Sequence, residues 1–237
     1  MLIDLDDTIL SAYTNPGGLW LEVAMEFAGE LRGLDPGMVA DAIRASADAF
    51  WEDPERHRRW RQTMIPARRE VVRLAFEALA RRGVPAFPQA LSDSLADRFS
   101  ALREARYTLF PGARETLEEL RARGVLLALV TNGAGDIQRA KIERFDLARH
   151  FHRIQIEGEC GFGKPEERCY RHALDSVGVE AHEAWMVGDN LEWEVAAPQR
   201  LGIFGVWYDH AGAGLPPGSA VLPDRIIGSL PELLAGA

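Results

Sequence analysis

The sequence predicts an α/β fold, in which a doubly wound parallel sheet carries an inserted all-helical domain. Residues 1–10 and the chain from about residue 108 onward alternate apolar runs of strand length with amphipathic helical patterns. This alternation is typical of parallel sheets that helices cover on both faces. Residues 11–107 break the rhythm, because their apolar residues recur only at helical spacing.

Three predicted strands share one pattern, an apolar run that switches abruptly to small polar or acidic residues. They are "MLIDLDDT" at the start, "VLLALVTNG" at 125–133 and "AWMVGDN" at 184–190. Continuous apolar runs indicate strands buried on both faces, although so short a run is also compatible with a buried helix. Further strands are expected near residues 155, 205 and 226. Ligands of such sheets bind beyond the carboxyl ends of the strands, where the polar switches fall.

The first predicted strand is short, because only Met1 to Ile3 precede the first aspartate. Strands usually contain about five or six residues. We therefore expect either a start upstream of Met1 or an unusually short strand.

Helical patterns separate and follow the strands. The patterns are "GARETLEELRARG" from Gly112, "DIQRAKIERF" from Asp136, "PEERCYRHALDSVG" from Pro165 and "EWEVAAPQRLG" from Glu192. Several end at glycine, as helices commonly do, and Pro165 is expected within the first turn of its helix.

The inserted segment shows three amphipathic stripes, punctuated by glycine and proline. The stripes comprise Leu19, Trp20, Val23, Ala24, Phe27 and Leu31; Val71, Val72, Ala75, Ala78 and Leu79; and Leu91, Leu95, Phe99 and Leu102. We predict a core formed by residues 1–10 and 108–237 and a helical lid or second domain at 11–107.

Composition narrows the function. The chain has 237 residues and a net charge of -9, which argues against broad binding to a nucleic acid polymer or an anionic membrane. Cys160 and Cys169 lack metal-finger spacing, which indicates reduced thiols and a cytoplasmic location. No signal peptide or membrane-spanning run is recognisable. We expect a small-molecule substrate; the oligomeric state is not indicated.

Carboxylates are concentrated where two predicted strands end. Asp4 and Asp6 bracket one residue and share a face if the strand continues, although an isolated pair of this kind is more typical of an acidic turn. Asp189 ends another apolar run, and Glu192 and Glu194 follow. Carboxylates that converge from two strands suit Mg²⁺, which takes one or two protein carboxylates with water and phosphate oxygens.

Groups that bind anions are predicted beside these carboxylates. Thr131, Asn132 and Gly133 end a strand before a helix, where a hydroxyl and backbone N–H groups can hold an anion. Lys164 stands in "GKPE" and would supply a compact cation beside a phosphate. Each feature alone is weak, since Asn-Gly is a common turn and a lone lysine is usually solvated.

The ordered set "DLDDT", "VTNG", "GKPE" and "VGDNLEWE" resembles the four motifs of the haloacid dehalogenase superfamily, phosphatase branch. The resemblance covers residues 1–10 and about 108–235, and the insertion is similar in position and helicity to a cap between motifs one and two. It implies a Rossmann-like core and a Mg²⁺-dependent phosphomonoester hydrolase acting on small organophosphates, such as nucleotide or sugar phosphates.

The resemblance also implies roles for individual residues. Asp4 would be the nucleophile that becomes an aspartyl-phosphate, and Asp6 the general acid and base. Thr131 and the backbone that follows would hold the phosphoryl group, and Lys164 would orient Asp4.

Mg²⁺ would bind the Asp4 carboxylate, the Asp6 backbone carbonyl and Asp189. The fourth motif usually carries aspartate where this chain has Glu194, with Glu192 close by as an alternative. The extra methylene either lets Glu194 still reach a metal-bound water or loosens the site, and we expect a weaker or altered metal dependence rather than inactivity.

Other readings remain open at this point. A sugar phosphomutase shares the same core, and a non-catalytic phospho-acceptor or Mg²⁺-binding module also unites acidic residues, a threonine and a lysine. Dehalogenation is disfavoured, because dehalogenases of the superfamily lack an acid at the position of Asp6. The "DLDD" start and the "VTNG" to "DIQRAKIE" run resemble phosphatases of nucleoside monophosphates and of N-acylneuraminate 9-phosphate.

Overall fold

The structure, a computed structural model, describes residues 1–11 and 16–235. The chain divides into two compact units, one formed by Met1–Ser11 with Thr108–Ala237 and the other by Ala12–Tyr107. The first unit contains a parallel sheet and helices, and the described part of the second contains helices. The α/β class with a helical insertion is therefore confirmed.

A parallel sheet forms the centre of the first unit. The strands are β1 (Leu2–Ile3), β2 (Leu10–Ser11), β3 (Thr108–Leu109), β4 (Ala128–Thr131), β5 (Arg153–Ile156), β6 (Trp185–Gly188), β7 (Phe204–Tyr208) and β8 (Arg225–Ile227). Six of them form one sheet in the order β5-β4-β1-β6-β7-β8, and every pair in it is parallel. β2 and β3 form a separate antiparallel pair.

The central strand β1 is only two residues long, yet it pairs with both β4 and β6. Leu2 lies opposite Ala128 on one side and Met186 on the other, and all three side chains are buried. The Asp4 N–H continues the ladder by donating to the Val187 carbonyl at 3.0 Å. This arrangement explains the unbroken apolar runs, since helices cover both faces of a parallel sheet.

The described part of the second unit contains five helices with a hydrophobic core of their own. They are α1 (Pro16–Glu26), α2 (Pro36–Glu52), α3 (Pro54–Trp60), α4 (Met64–Arg81) and α5 (Gln89–Ala105). Asp35 caps α2 and Asp53 caps α3, since each side chain accepts a backbone N–H of the first turn. Trp20 stacks on Phe99 with ring centroids 3.7 Å apart.

The first predicted stripe differs from the structure at its end. Helix α1 stops at Glu26, so Phe27 and Leu31 lie in the turns that follow it. Gly29 lies in these turns, and glycine disfavours a helix interior by about 1 kcal/mol relative to alanine. Leu31 nevertheless remains buried in the core of this unit.

The helices of the first unit lie between and after its strands. They are α6 (Ala113–Ala122), α7 (Gly135–Arg144), α8 (Glu157–Cys160), α9 (Glu167–Val177) and α10 (Ala197–Gln199). Helix α9 is followed by Gly178 in the left-handed conformation, the termination that the glycine in the sequence predicts. Among the described residues, no helix combines the length and the hydropathy required to cross a bilayer.

Two predicted helices begin differently from the expectation. Pro165 lies outside α9, because Glu166 is extended (ψ 130°) and the helix starts only at Glu167. The segment predicted as one helix from Glu192 is a π-helical turn over Leu191–Ala196 that continues into the short α10. π-helical turns are rare and frequently lie at functional sites.

Candidate active site

The polar residues that follow β1, β4 and β6 lie at one edge of the sheet, because the three strands are adjacent and parallel. Asp4 follows β1, Thr131 ends β4 and Asp189 follows β6, as their sequence positions predict. Asp4 and Thr131 are both buried. Asp7 adopts a left-handed conformation (φ 58°), which turns the chain sharply directly after Asp6.

A single buried lysine joins two buried carboxylates at this edge. The Lys164 ammonium lies 2.5 Å from Asp4 Oδ1 and 2.7 Å from Glu194 Oε1. The side chains of Lys164 and Glu194 are each 1% exposed, and that of Asp4 is 9% exposed. Thr8 donates to the other Asp4 oxygen at 3.2 Å. The Asp4 carboxylate is therefore fixed in direction before any substrate binds.

Asn132 holds the backbone of Lys164. Its amide nitrogen donates to the Lys164 carbonyl at 2.8 Å, and its amide oxygen accepts the Lys164 N–H at 2.8 Å. A side chain at Gly163 would overlap Asn132 Oδ1, so this close approach requires glycine. The second predicted motif thus positions the lysine of the third.

The N–H of Gly133 has a protein partner. It donates to Glu157 Oε2 at 3.0 Å, and Glu157 is buried at the start of α8. Sequence reasoning did not single out Glu157, which follows β5, the neighbour of β4. The hydrogen bond fixes the turn between β4 and α7, which is the turn predicted to hold an anion.

The π-helical turn directs Glu194 into the site. Glu194 Oε2 accepts the Asn190 N–H at 2.8 Å while its other oxygen bonds Lys164. A Cβ at Gly188 would overlap the Glu194 side chain, so glycine provides the necessary space. Glu192 instead pairs with Arg200 at 2.8 Å, with both side chains largely exposed. Of the two glutamates considered from the sequence, Glu194 is therefore the one that pairs with the buried Lys164.

Two residues of α7 bond Asp6, and sequence reasoning did not assign either of them. Lys141 Nζ lies 2.8 and 2.7 Å from the two Asp6 oxygens. Gln138 Nε2 donates to Asp6 Oδ2 at 3.0 Å and to Thr131 Oγ1 at 2.6 Å. A signal was present, since the two polar residues stand one helical turn apart within "DIQRAKIE".

Burial and mutual repulsion perturb the carboxyl groups. Burial, with repulsion from Asp4, Glu194 and Asp7, raises the pKa of Asp189 to about 8. Burial raises the pKa of Glu194 to about 7 against the lowering effect of Lys164. Burial also raises the pKa of Asp4, although Lys164 opposes it. Burial alone would lower the pKa of Lys164, but attraction to Asp4 and Glu194 raises it above its usual value.

This excess of negative charge suits a divalent cation. Burial, with repulsion from Asp4, Glu194 and Asp7, raises the pKa of Asp189, and attraction to Lys164 offsets only part of this effect. No three histidine, cysteine, aspartate or glutamate side chains within residues 1–11 and 16–235 form a metal-binding group. Mg²⁺ needs only one or two protein carboxylates, because water and substrate phosphate complete its octahedron. The donor set therefore fits Mg²⁺ better than a metal that requires an all-protein site.

Comparison with known proteins places this arrangement in a family. A model of haloacid dehalogenase-like hydrolases matches residues 1–202. The chain belongs to this family. The phosphoserine phosphatase of Thermus thermophilus is 34% identical to this haloacid dehalogenase-like hydrolase over 251 residues, which cover 98% of the chain and 96% of the relative.

Solved structures of haloacid dehalogenase-like hydrolases have the same fold. The magnesium-bound HAD-hydrolase YfnB of Bacillus subtilis superimposes with a TM-score of 0.71 at 24% identity, covering 99% of this chain and 96% of that one. The 2-haloacid dehalogenase of Pseudomonas syringae pv. Tomato gives a TM-score of 0.60 at 27% identity, with the same coverage. The chain is thus a hydrolase whose relatives include both phosphatases and dehalogenases.

Proposed function

We propose that this haloacid dehalogenase-like hydrolase is a Mg²⁺-dependent phosphomonoesterase that acts on small organophosphates through an aspartyl-phosphate. One observation carries the proposal. Asp4 is fixed by Lys164, and a second carboxylate, Asp6, is bonded through Gln138 to Thr131, the hydroxyl proposed to hold the phosphoryl group. The groups proposed as nucleophile, as acid and base, and as anion-binding hydroxyl therefore lie close together, which supports the proposal.

In the first half of the reaction, an oxygen of the Asp4 carboxylate attacks phosphorus. The bond between phosphorus and the ester oxygen breaks, and the leaving alkoxide takes a proton from Asp6. Thr131 and the backbone of Asn132 hold the phosphoryl oxygens, with the turn braced by the bond from Gly133 to Glu157. Lys164 keeps Asp4 oriented and balances charge as the phosphoryl group approaches.

In the second half, water attacks phosphorus and the bond to Asp4 breaks, with its electron pair returning to the carboxylate. Asp6 receives the proton of the attacking water. Inorganic phosphate is released and the site returns to its starting state.

Asp4, the Asp6 backbone carbonyl and Asp189 would hold Mg²⁺, with Glu194 near its water ligands. When bound, the ion offsets the repulsion between carboxylate and phosphate. The Trp207 indole donates to the Asp189 carbonyl at 2.7 Å, which fixes the backbone at this residue.

The relatives and Asp6 both favour a phosphatase over a dehalogenase. One relative that matches nearly the whole chain, at 34% identity, is a phosphoserine phosphatase. A leaving halide needs no proton, whereas a leaving alcohol does, and Asp6 can supply it. We further propose that the α/β unit is the catalytic core and that the helical insertion is a cap that selects the substrate. A cytoplasmic location accords with the free thiols of Cys160 and Cys169.

Release of inorganic phosphate from a panel of monoesters tests the proposal. The panel contains phosphoserine, nucleoside monophosphates, sugar phosphates and N-acylneuraminate 9-phosphate, each with Mg²⁺ or with a chelator. We expect Mg²⁺-dependent release that Asp4→Asn abolishes. Halide release from a 2-haloacid without phosphatase activity would overturn the proposal, as would conversion of a sugar phosphate into its isomer as the sole activity.

A further inference from the structure

Helix α7 buries two long polar side chains on one face. Gln138 is 2% exposed and Lys141 is 7% exposed. Burying an amide or an ammonium group costs free energy unless it is hydrogen-bonded, and an apolar residue would pack here without that cost. The partners of these two side chains are therefore informative.

Both side chains converge on Asp6. Lys141 donates to both Asp6 oxygens, at 2.8 and 2.7 Å, and so restricts rotation of the carboxylate. Gln138 donates to Asp6 Oδ2 and to Thr131 Oγ1, at 3.0 and 2.6 Å. One amide thus links the proposed acid and base to the hydroxyl proposed to hold the phosphoryl group.

We propose that Gln138 and Lys141 are positioning residues, which fix Asp6 as the base for hydrolysis of the phosphoenzyme. This inference rests on the proposed function. In that step the water oxygen bonds to phosphorus, the bond to Asp4 breaks, and the water proton passes to Asp6. Both Asp6 oxygens accept hydrogen bonds, the pattern of the carboxylate form that a base requires.

The geometry explains why hydrolysis of the phosphoenzyme uses two positioning residues. The attacking water must lie in line with the bond between phosphorus and Asp4, and a base displaced by about 1 Å can lose about 10²-fold in rate. Because Gln138 bonds both Thr131 and Asp6, the base keeps its place relative to the phosphoryl group. Lys141 prevents the same carboxylate from turning away.

Rapid mixing with p-nitrophenyl phosphate separates the two halves of the reaction, because its leaving group departs without a proton. The first turnover reports phosphoryl transfer to Asp4, and the steady state reports turnover of the phosphoenzyme. For Lys141→Met we expect kcat to fall about 10²-fold. First-turnover release of p-nitrophenolate and kcat/KM, which both report phosphoryl transfer, should stay within about threefold of the wild type, so KM falls together with kcat. Acid-quenched Lys141→Met enzyme should contain accumulated phosphoenzyme.

Three further variants sharpen the test. Gln138→Leu should also lower kcat while leaving the first turnover unchanged, with a smaller fall in kcat than Lys141→Met. Lys141→Arg, which keeps a cation, should have a higher kcat than Lys141→Met. Arg139→Met is the matched control: Arg139 lies between the two on α7 but pairs with Glu159 at the surface, 2.7 Å away. It should leave both phases unchanged.

The outcomes distinguish this inference from the proposed function. A wild-type enzyme that releases no phosphate from any monoester counts against the proposed function. An active wild type whose Lys141→Met and Gln138→Leu variants turn over normally overturns the positioning role. The same holds if both phases slow equally, since a general structural defect would have that effect.

Discussion

Replacing Lys164 with methionine tests whether this buried cation balances the carboxylates of Asp4 and Glu194. The substitution keeps most of the side-chain volume but removes the ammonium that lies 2.5 Å from Asp4 and 2.7 Å from Glu194. Both carboxylates are then left buried without their cation. Removing one partner of a buried ion pair typically costs about 3–5 kcal/mol, because the remaining charge stays desolvated.

The expected cost depends on pH. Near pH 8 and without Mg²⁺, the free energy of unfolding of Lys164→Met should fall by about 3–5 kcal/mol. At pH 5 the loss should be smaller, since burial raises the pKa of Glu194 to about 7 and a proton can then replace the ammonium. The double variant Lys164→Met/Glu194→Gln, which also removes one carboxylate charge, should regain part of the loss at pH 8.

Urea unfolding followed by circular dichroism measures these differences. Hydrogen exchange of peptides from 125–133 and 184–190 assigns the change to the α/β unit. Arg168→Met is the control, because Arg168 pairs with Glu166 at 2.9 Å near the surface and should contribute less than about 1 kcal/mol. If Lys164→Met and Arg168→Met are equally stable at pH 8, the buried lysine does not balance the carboxylates.

Three other perturbations have defined outcomes. Without Mg²⁺, the free energy of unfolding should fall as pH rises from about 4 to 8. The folded-state pKa values, about 7 for Glu194 and about 8 for Asp189, exceed those of the unfolded chain. Over this pH range the unfolded chain releases protons that the native state retains, so rising pH favours unfolding. Denaturation at several pH values should show a flatter profile for Asp189→Asn, and an unchanged slope would contradict this assignment. Asn132→Ala should lower the free energy of unfolding by about 2 kcal/mol and reduce kcat, since two hydrogen bonds to the Lys164 backbone are lost. Wild-type kinetics in this variant would show that these bonds do not position the lysine. Gly188→Ala should destabilise the protein by about 1–3 kcal/mol and impair turnover, because the alanine Cβ would displace Glu194. An unchanged free energy of unfolding and unchanged steady-state kinetics would refute this steric argument.

The positions of the strands and their polar ends were predictable from the sequence. Apolar runs mark β4 and β6, and parallel topology brings Thr131 and Asp189 to the edge where Asp4 lies. The partners of each side chain were not predictable in the same way. Nothing in the spacing shows that Asn132 bonds the Lys164 backbone, because the contact joins the turn after β4 to the segment between α8 and α9.

The buried face of α7 illustrates the same limit. Gln138 and Lys141 are ordinary residues for a solvated helix. Their burial depends on the tertiary contact of α7 with Asp6, which the sequence pattern does not show. The start of α9 also escaped prediction. Proline suits a first helical turn, but the extended Glu166 delays the helix beyond Pro165.

The place of β1 in the sheet has a consequence for synthesis on the ribosome. This strand is translated first, yet its two neighbours begin at Ala128 and Trp185. At a translation rate of about 5–20 residues per second, β6 is synthesised roughly 10–40 s after β1. The helical segment between has its own hydrophobic core and can fold during that interval. The middle of the sheet is therefore completed late, and Asp4 gains its contacts with Lys164 and Val187 only after most of the chain has emerged.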